Sequence, residues 1–147
     1  MDIEKLFIPY EEALELKKLR FDEKCLGAYK NKGKLEITTS DYWDNQSIII
    51  ISNGTTCKLK CLAPLYQQAF DFFRKEYSLF HNIWNYTHNE PAHIMIPYRF
   101  IFSIDEDWIC IVGKKHETGL FEKYYDSYEL AELACLRKLI ELAKQQE

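Results

Sequence analysis

The segment from Asp126 to Lys144 constrains the fold more than any other part of this chain, because it reads as one capped amphipathic helix that needs a surface to lie on. Tyr128, Ala131, Cys135, Leu139 and Leu142 recur at spacings of three and four, and Ala134, Leu136, Ile140 and Ala143 widen the apolar stripe. Glu129, Glu132, Arg137, Glu141 and Lys144 fall on the opposite side, as a helix with one face in water requires. Asp126 is the expected N-cap, with Glu129 placed three residues on to reach back to the cap's own N–H. The helix is therefore expected over about 127–145.

Two further helices and several short strands supply the surface. Pro64 opens a helix expected over about 64–79, in which Tyr66, Ala69, Phe70, Phe73 and Tyr77 share one face. Pro9 opens another over about 9–20, with Ala13, Leu14, Leu16 and Leu19 as a partial apolar face. Residues 25–29 and 34–38 flank Lys30-Asn31-Lys32-Gly33, a hairpin loop whose Asn and Gly tolerate positive φ. An apolar strand at 48–51 turns at Asn53-Gly54 into a second at 55–59. Residues 80–91 show no clear period, 98–104 alternate, Asp105-Glu106-Asp107 turns the chain into 108–112, and 120–125 gives the last strand. Strands grouped in runs with short turns favour antiparallel pairing, so the expected class is α+β, a single compact domain of 1–147 with antiparallel sheet packed by three helices. It can also be read as two sub-halves, 1–62 and 63–147.

Three segments carry a family resemblance. They are Ala63-Pro-Leu-Tyr-Gln-Gln-Ala-Phe-Asp-Phe-Phe-Arg-Lys-Glu-Tyr-Ser-Leu79, the C-terminal helix, and Tyr10-Glu-Glu-Ala-Leu-Glu-Leu-Lys-Lys-Leu-Arg-Phe-Asp-Glu-Lys-Cys25. Together they resemble an uncharacterised family of small proteins encoded by phages and prophages of gut bacteria, whose motifs carry no known activity. The family tends to have Gly where Arg20 stands and Pro where Lys24 stands. Because Gly suits a left-handed helix end at no steric cost, Arg20 puts the geometry of that helix terminus in question.

Charge and hydropathy exclude several classes. A net charge of −4 and a pI near 5.6 argue against a surface that tracks phosphates, since that affinity rests on basic clusters. The order helix, three strands, helix is shared with double-stranded RNA-binding domains. Such domains place basic residues at the start of the last helix, where this chain has Asp126, Glu129 and Glu132. No run of eighteen apolar residues occurs and the N-terminus lacks the pattern of an export signal, so no membrane span and a location in the cytoplasm of a bacterial host are expected. The five cysteines, at 25, 57, 61, 110 and 135, form no recognisable disulfide framework.

Each candidate for chemistry has a plainer competitor. Cys57, Cys61, His81, His88 and His93 are zinc-ligand types in no established spacing, and Cys110 and Cys135 lie in apolar runs that suit packing better than nucleophilic attack. Asp105, Glu106 and Asp107 offer hard oxygens from one segment only, and His116 beside Glu117 has no matching Ser or Cys motif. No Gly-rich phosphate loop is present. No catalytic residue, metal ligand or cofactor is therefore assigned.

Aromatic residues remain in excess, with ten Tyr, nine Phe and three Trp. Tyr42 and Trp43 stand apart because Ser40, Asp41, Asp44, Asn45 and Gln46 around them are polar, which suits exposed partner-binding anchors. A non-enzymatic binding protein acting on a host or phage protein, on a small ligand or on a second copy of itself is the favoured class. A small metal-dependent or hydrolytic enzyme built from dispersed Cys, His and acidic residues is the alternative.

Overall fold

The computed structural model describes residues 2–30, 33–38, 41–50, 56–85, 108–114 and 121–147, and within these the chain is α+β. It falls into two compact units, Met1–Ala69 and Phe70–Glu147. The expected strand at 98–104, the acidic turn at 105–107, and His88, His93, His116 and Glu117 lie outside the described residues.

In the first unit a 3₁₀ turn (Ile3–Leu6) leads through Pro9 into α1 (Tyr10–Lys18), which buries Glu12, Ala13 and Leu16. Proline suits the residue before the helix because its own φ is already near the required value and its carbonyl still accepts the Ala13 N–H at 2.9 Å. At the other end Phe21 N donates to Leu16 O and Arg20 N to Lys17 O, the paired bonds of a Schellman cap, with the side chains of Leu16 and Phe21 both buried. Arg20 has φ 63°, so the left-handed terminus forms although a Cβ opposes it.

Three short strands follow in the order β2-β1-β5, all antiparallel: β1 (Gly27–Tyr29), β2 (Leu35–Ile37) and β5 (Cys61–Ala63). The hairpin between β1 and β2 is the expected one, and Gly33 holds φ 72° in its loop. Helix α1 packs on β5. Gly27 is required by close approach, since a Cβ there would sit 2.6 Å from the Phe7 ring. A separate antiparallel ribbon pairs β3 (Ile48–Ile50) with β4 (Thr56–Lys58).

Helix α2 (Tyr66–Glu76) begins two residues later than Pro64 suggests. The Pro64 carbonyl accepts from Ile8 N, and Leu65 bridges Phe7, so both residues are held outside the helix by the N-terminal segment. Gln68 then reaches back to accept the Leu65 N–H at 3.1 Å, half of a capping box. Ala69, Phe70, Phe72 and Phe73 are buried, and Ser78 at φ 53° turns the chain into the next strand.

The second unit centres on the antiparallel sheet β6-β7-β8, made of β6 (Leu79–Asn85), β7 (Trp108–Lys114) and β8 (Phe121–Tyr125). Strand β6 occupies a stretch without a sequence period. Helix α3 (Tyr128–Lys144) lies against all three strands and buries Ala131, Cys135, Leu136, Leu139, Ile140 and Ala143. At roughly 1.5–3 kcal/mol for each fully buried large aliphatic chain, Leu136, Leu139 and Ile140 alone offset several ordered residues.

Two details of α3 differ from expectation. Its cap is Ser127, whose Oγ accepts the Leu130 N–H at 3.3 Å, while Asp126 stays exposed one residue outside. Ser127 has the extended backbone that an N-cap needs. Tyr128 is 40% exposed instead of buried, and its hydroxyl donates to Glu132 Oε1 at 3.1 Å, one turn along.

Candidate functional site

The loop before β3 is built from side chains that cap its own backbone. Asp44 accepts from Gln46 N and from Ser47 Oγ, both at 2.9 Å, and Ser47 Oγ accepts the Asp44 N–H at 3.0 Å. The bond from Ser47, then that from Gln46, holds the Asp44 carboxyl below its ordinary range. Asp41 Oδ1 accepts from Tyr42 N at 2.8 Å. Long-range bonds tie the loop down: Cys25 and Trp43 exchange both backbone hydrogen bonds, at 2.7 and 2.9 Å, and Asn45 Nδ2 donates to Phe21 O at 3.2 Å.

On that base Tyr42 is 59% exposed, whereas Trp43 is half-buried. The indole Nε1 of Trp43 is shielded from solvent and has no hydrogen-bond acceptor among the described residues. A shielded donor left in this way costs about 1–3 kcal/mol, and the backbone bridge to Cys25 keeps the residue where it is. The two neighbouring aromatics therefore occupy different environments. Backbone pairing links the loop to the first sheet: Leu26 follows the bridged Cys25 and its carbonyl accepts from Thr38 N, and Ile37 pairs with Gly27. Leu26 and Ile37 are each more than a third exposed, as is Ile48 at the far end of the loop.

A second group, which sequence patterns did not single out, sits where α1 covers the first sheet. Tyr29 donates from its hydroxyl to Ile8 O at 2.7 Å, stacks edge-on against Tyr10 at 5.3 Å, and pairs in register with Cys61. Burial first, then the nearby Cys61, Glu12 and Glu4, pushes the Tyr29 phenol up to about 12. Glu12 is itself only 6% exposed; its place one turn before Leu16 on the apolar face was the available sequence signal.

These groups are poor material for nucleophilic chemistry. Burial pushes the Cys25 thiol up to about 12 and the Cys61 thiol up to about 11, so both stay protonated at neutral pH, when a reactive cysteine needs the thiolate. Cys57 is half-buried. His81 stacks face to face on Phe70 at 3.6 Å in the second unit, and burial, followed by Arg74, lowers it to about 4. Among the described residues no three His, Cys, Asp or Glu side chains converge to hold a metal ion.

One cysteine departs from expectation. Cys135 is fully buried on α3, as its place in the stripe requires, but it is disulfide-bonded and not a thiol packed among apolar neighbours. Helical periodicity places a cysteine on a face and says nothing of a sulfur brought to it from elsewhere. Among the described residues no helix is long and apolar enough to cross a membrane. Compared with known protein families, curated proteins and solved structures, the chain matches none.

Proposed function

We propose that this is a non-enzymatic, phage-associated binding protein that acts in the cytoplasm of a bacterial host on a protein or small-ligand partner, or on a second copy of itself, through the surface around Tyr42 and Trp43. The observation that carries the reading is Tyr42, an aromatic ring 59% exposed on a loop pinned at Trp43 and Asn45. A large ring held in water on an ordered support loses little conformational freedom when a partner covers it, which is the economy of an interface anchor. Trp43, half-buried and bridged to Cys25, holds the loop that carries it. The protonated state of Cys25 and Cys61 favours binding over a thiol-based hydrolase.

The test is Tyr42→Ala compared with wild type in three measurements: melting temperature, sedimentation velocity over a concentration series, and retention of host proteins and small molecules on the immobilised chain. Unchanged melting with loss of about 2 kcal/mol in self-association or partner retention is expected. Equal binding by the two proteins would remove this surface from consideration.

A further inference from the structure

Strand β2 is an edge of the first sheet: it pairs with β1 on one side, and among the described residues no strand pairs with the other. Lys34 O accepts from Lys30 N and Thr38 N donates to Leu26 O, so the backbone groups of Lys34 and Thr38 point at β1. By alternation Leu35 and Ile37 turn their N–H and C=O groups outward, which makes the edge a template for another strand. Side chains decide which strand fits. On one face stand Lys34, its side chain 77% exposed, and Glu36, which pairs with Lys30 at 2.7 Å and lies 3.9 Å from Lys34. On the other face Leu35 and Ile37 continue the rows of Tyr29 and Gly27, and the Tyr10 ring lies against Gly33, 3.1 Å from where a Cβ would sit.

We propose that two copies of this chain pair antiparallel along β2, about a two-fold axis at Leu35, and so join their first sheets into one. In this register Lys34 of each copy lies opposite Glu36 of the other, at the non-hydrogen-bonded positions where side chains come closest. Leu35 meets Leu35 and exchanges both backbone bonds with it. Ile37 falls opposite Gly33, which has no side chain to block it and leaves it the Tyr10 ring as a neighbour. Charge selects this register over the alternatives: an axis at Glu36 sets two carboxylates against each other, and one at Ile37 sets Glu36 against Thr38. An edge guarded against pairing carries charges of one sign, which repel a second copy, whereas Lys34 and Glu36 attract it. Helix α1 packs on β5, the opposite edge of the sheet, away from the seam. The contact is made by β2 itself and holds whether or not Tyr42 meets a partner.

The experiment is sedimentation equilibrium of the full chain over a concentration series at low salt, for wild type, Lys34→Glu, Glu36→Lys and an equimolar mixture of the two variants, with melting temperatures to check folding. Wild type should dimerise reversibly. Each charge reversal turns both attractive pairs across the seam into repulsive ones and should weaken dimerisation about tenfold. Mixing the variants should restore it, because one then presents acids and the other bases at both positions, a rescue that a folding defect does not produce. A wild type that stays monomeric up to roughly 1 mM, dimerisation untouched by Lys34→Glu, or variants that stay apart when mixed would each overturn the proposal. Self-association lost in Tyr42→Ala but kept in both charge reversals would also overturn it, while leaving the Tyr42 surface as the point of contact.

Discussion

Replacing Phe73 by Ala should remove a large share of the stability of the second unit. Phe73 is fully buried in the middle of α2, with the Phe72 ring edge-on at 5.4 Å and the Tyr77 ring tilted at 6.0 Å. Truncating a buried Phe to Ala costs about 3–5 kcal/mol as lost transfer free energy plus the cavity that remains. The two ring contacts place this site toward the upper end, since such pairs add about 0.5–1.5 kcal/mol beyond area. Alanine's better helix propensity returns about 0.5 kcal/mol, leaving a net loss of ~4 kcal/mol. Against a typical total of roughly 5–15 kcal/mol, that would move a urea midpoint by more than 1 M for an m-value of about 2 kcal/mol/M. Far-UV circular dichroism in urea, with the m-value checked for constancy, reads the change. Phe80→Ala is the internal control: Phe80 is 39% exposed, so its loss should cost less than about 1 kcal/mol. Equal midpoint shifts for the two variants, or a Phe73→Ala midpoint unchanged from wild type, would refute the assignment of the buried face of α2.

Three further outcomes are expected. Arg20→Gly should stabilise by about 1 kcal/mol in the same urea assay, because it removes the Cβ that opposes φ 63° at an exposed helix end whose cap is already formed by backbone bonds. Ser127→Ala should cost about 1 kcal/mol by deleting the acceptor for Leu130 N, whereas Asp126→Ala should change stability by less than about 0.5 kcal/mol; the reverse ranking would move the cap. His81 sits near 4 when folded against an ordinary 6.5, so above pH 6.5 it is neutral in both states and its environment costs nothing. As pH falls from 6.5 towards 4 the unfolded chain takes up a proton that the folded chain refuses, and stability drops by up to ~3 kcal/mol. Denaturation midpoints at pH 7 and pH 5 should therefore differ less for His81→Phe than for wild type, and an equal difference would show that His81 is not held neutral.

Sequence by itself determined the three helices, most of their inward faces and the first hairpin, but neither β5 nor β6. The spacing of Ala131, Cys135 and Leu139 on α3, and of Ala69, Phe70 and Phe73 on α2, specified which sides are buried, because helical periodicity is written in neighbours three and four residues apart. Gly33 marked its hairpin because few other residues accept φ 72° without strain. What tertiary structure decided concerns groups brought together from distant positions. Pro64 and Leu65 are drawn out of α2 by Ile8 and Phe7, the Phe7 ring permits only hydrogen at Gly27, and Cys25 pulls Trp43 half out of solvent while Tyr42 beside it stays exposed. The stacking of His81 on Phe70 and the bonded state of Cys135 belong to the same class. Periodicity reports the face a residue presents, but the atom that meets it there is set by strand register and by packing between elements far apart in the chain, which no local pattern encodes.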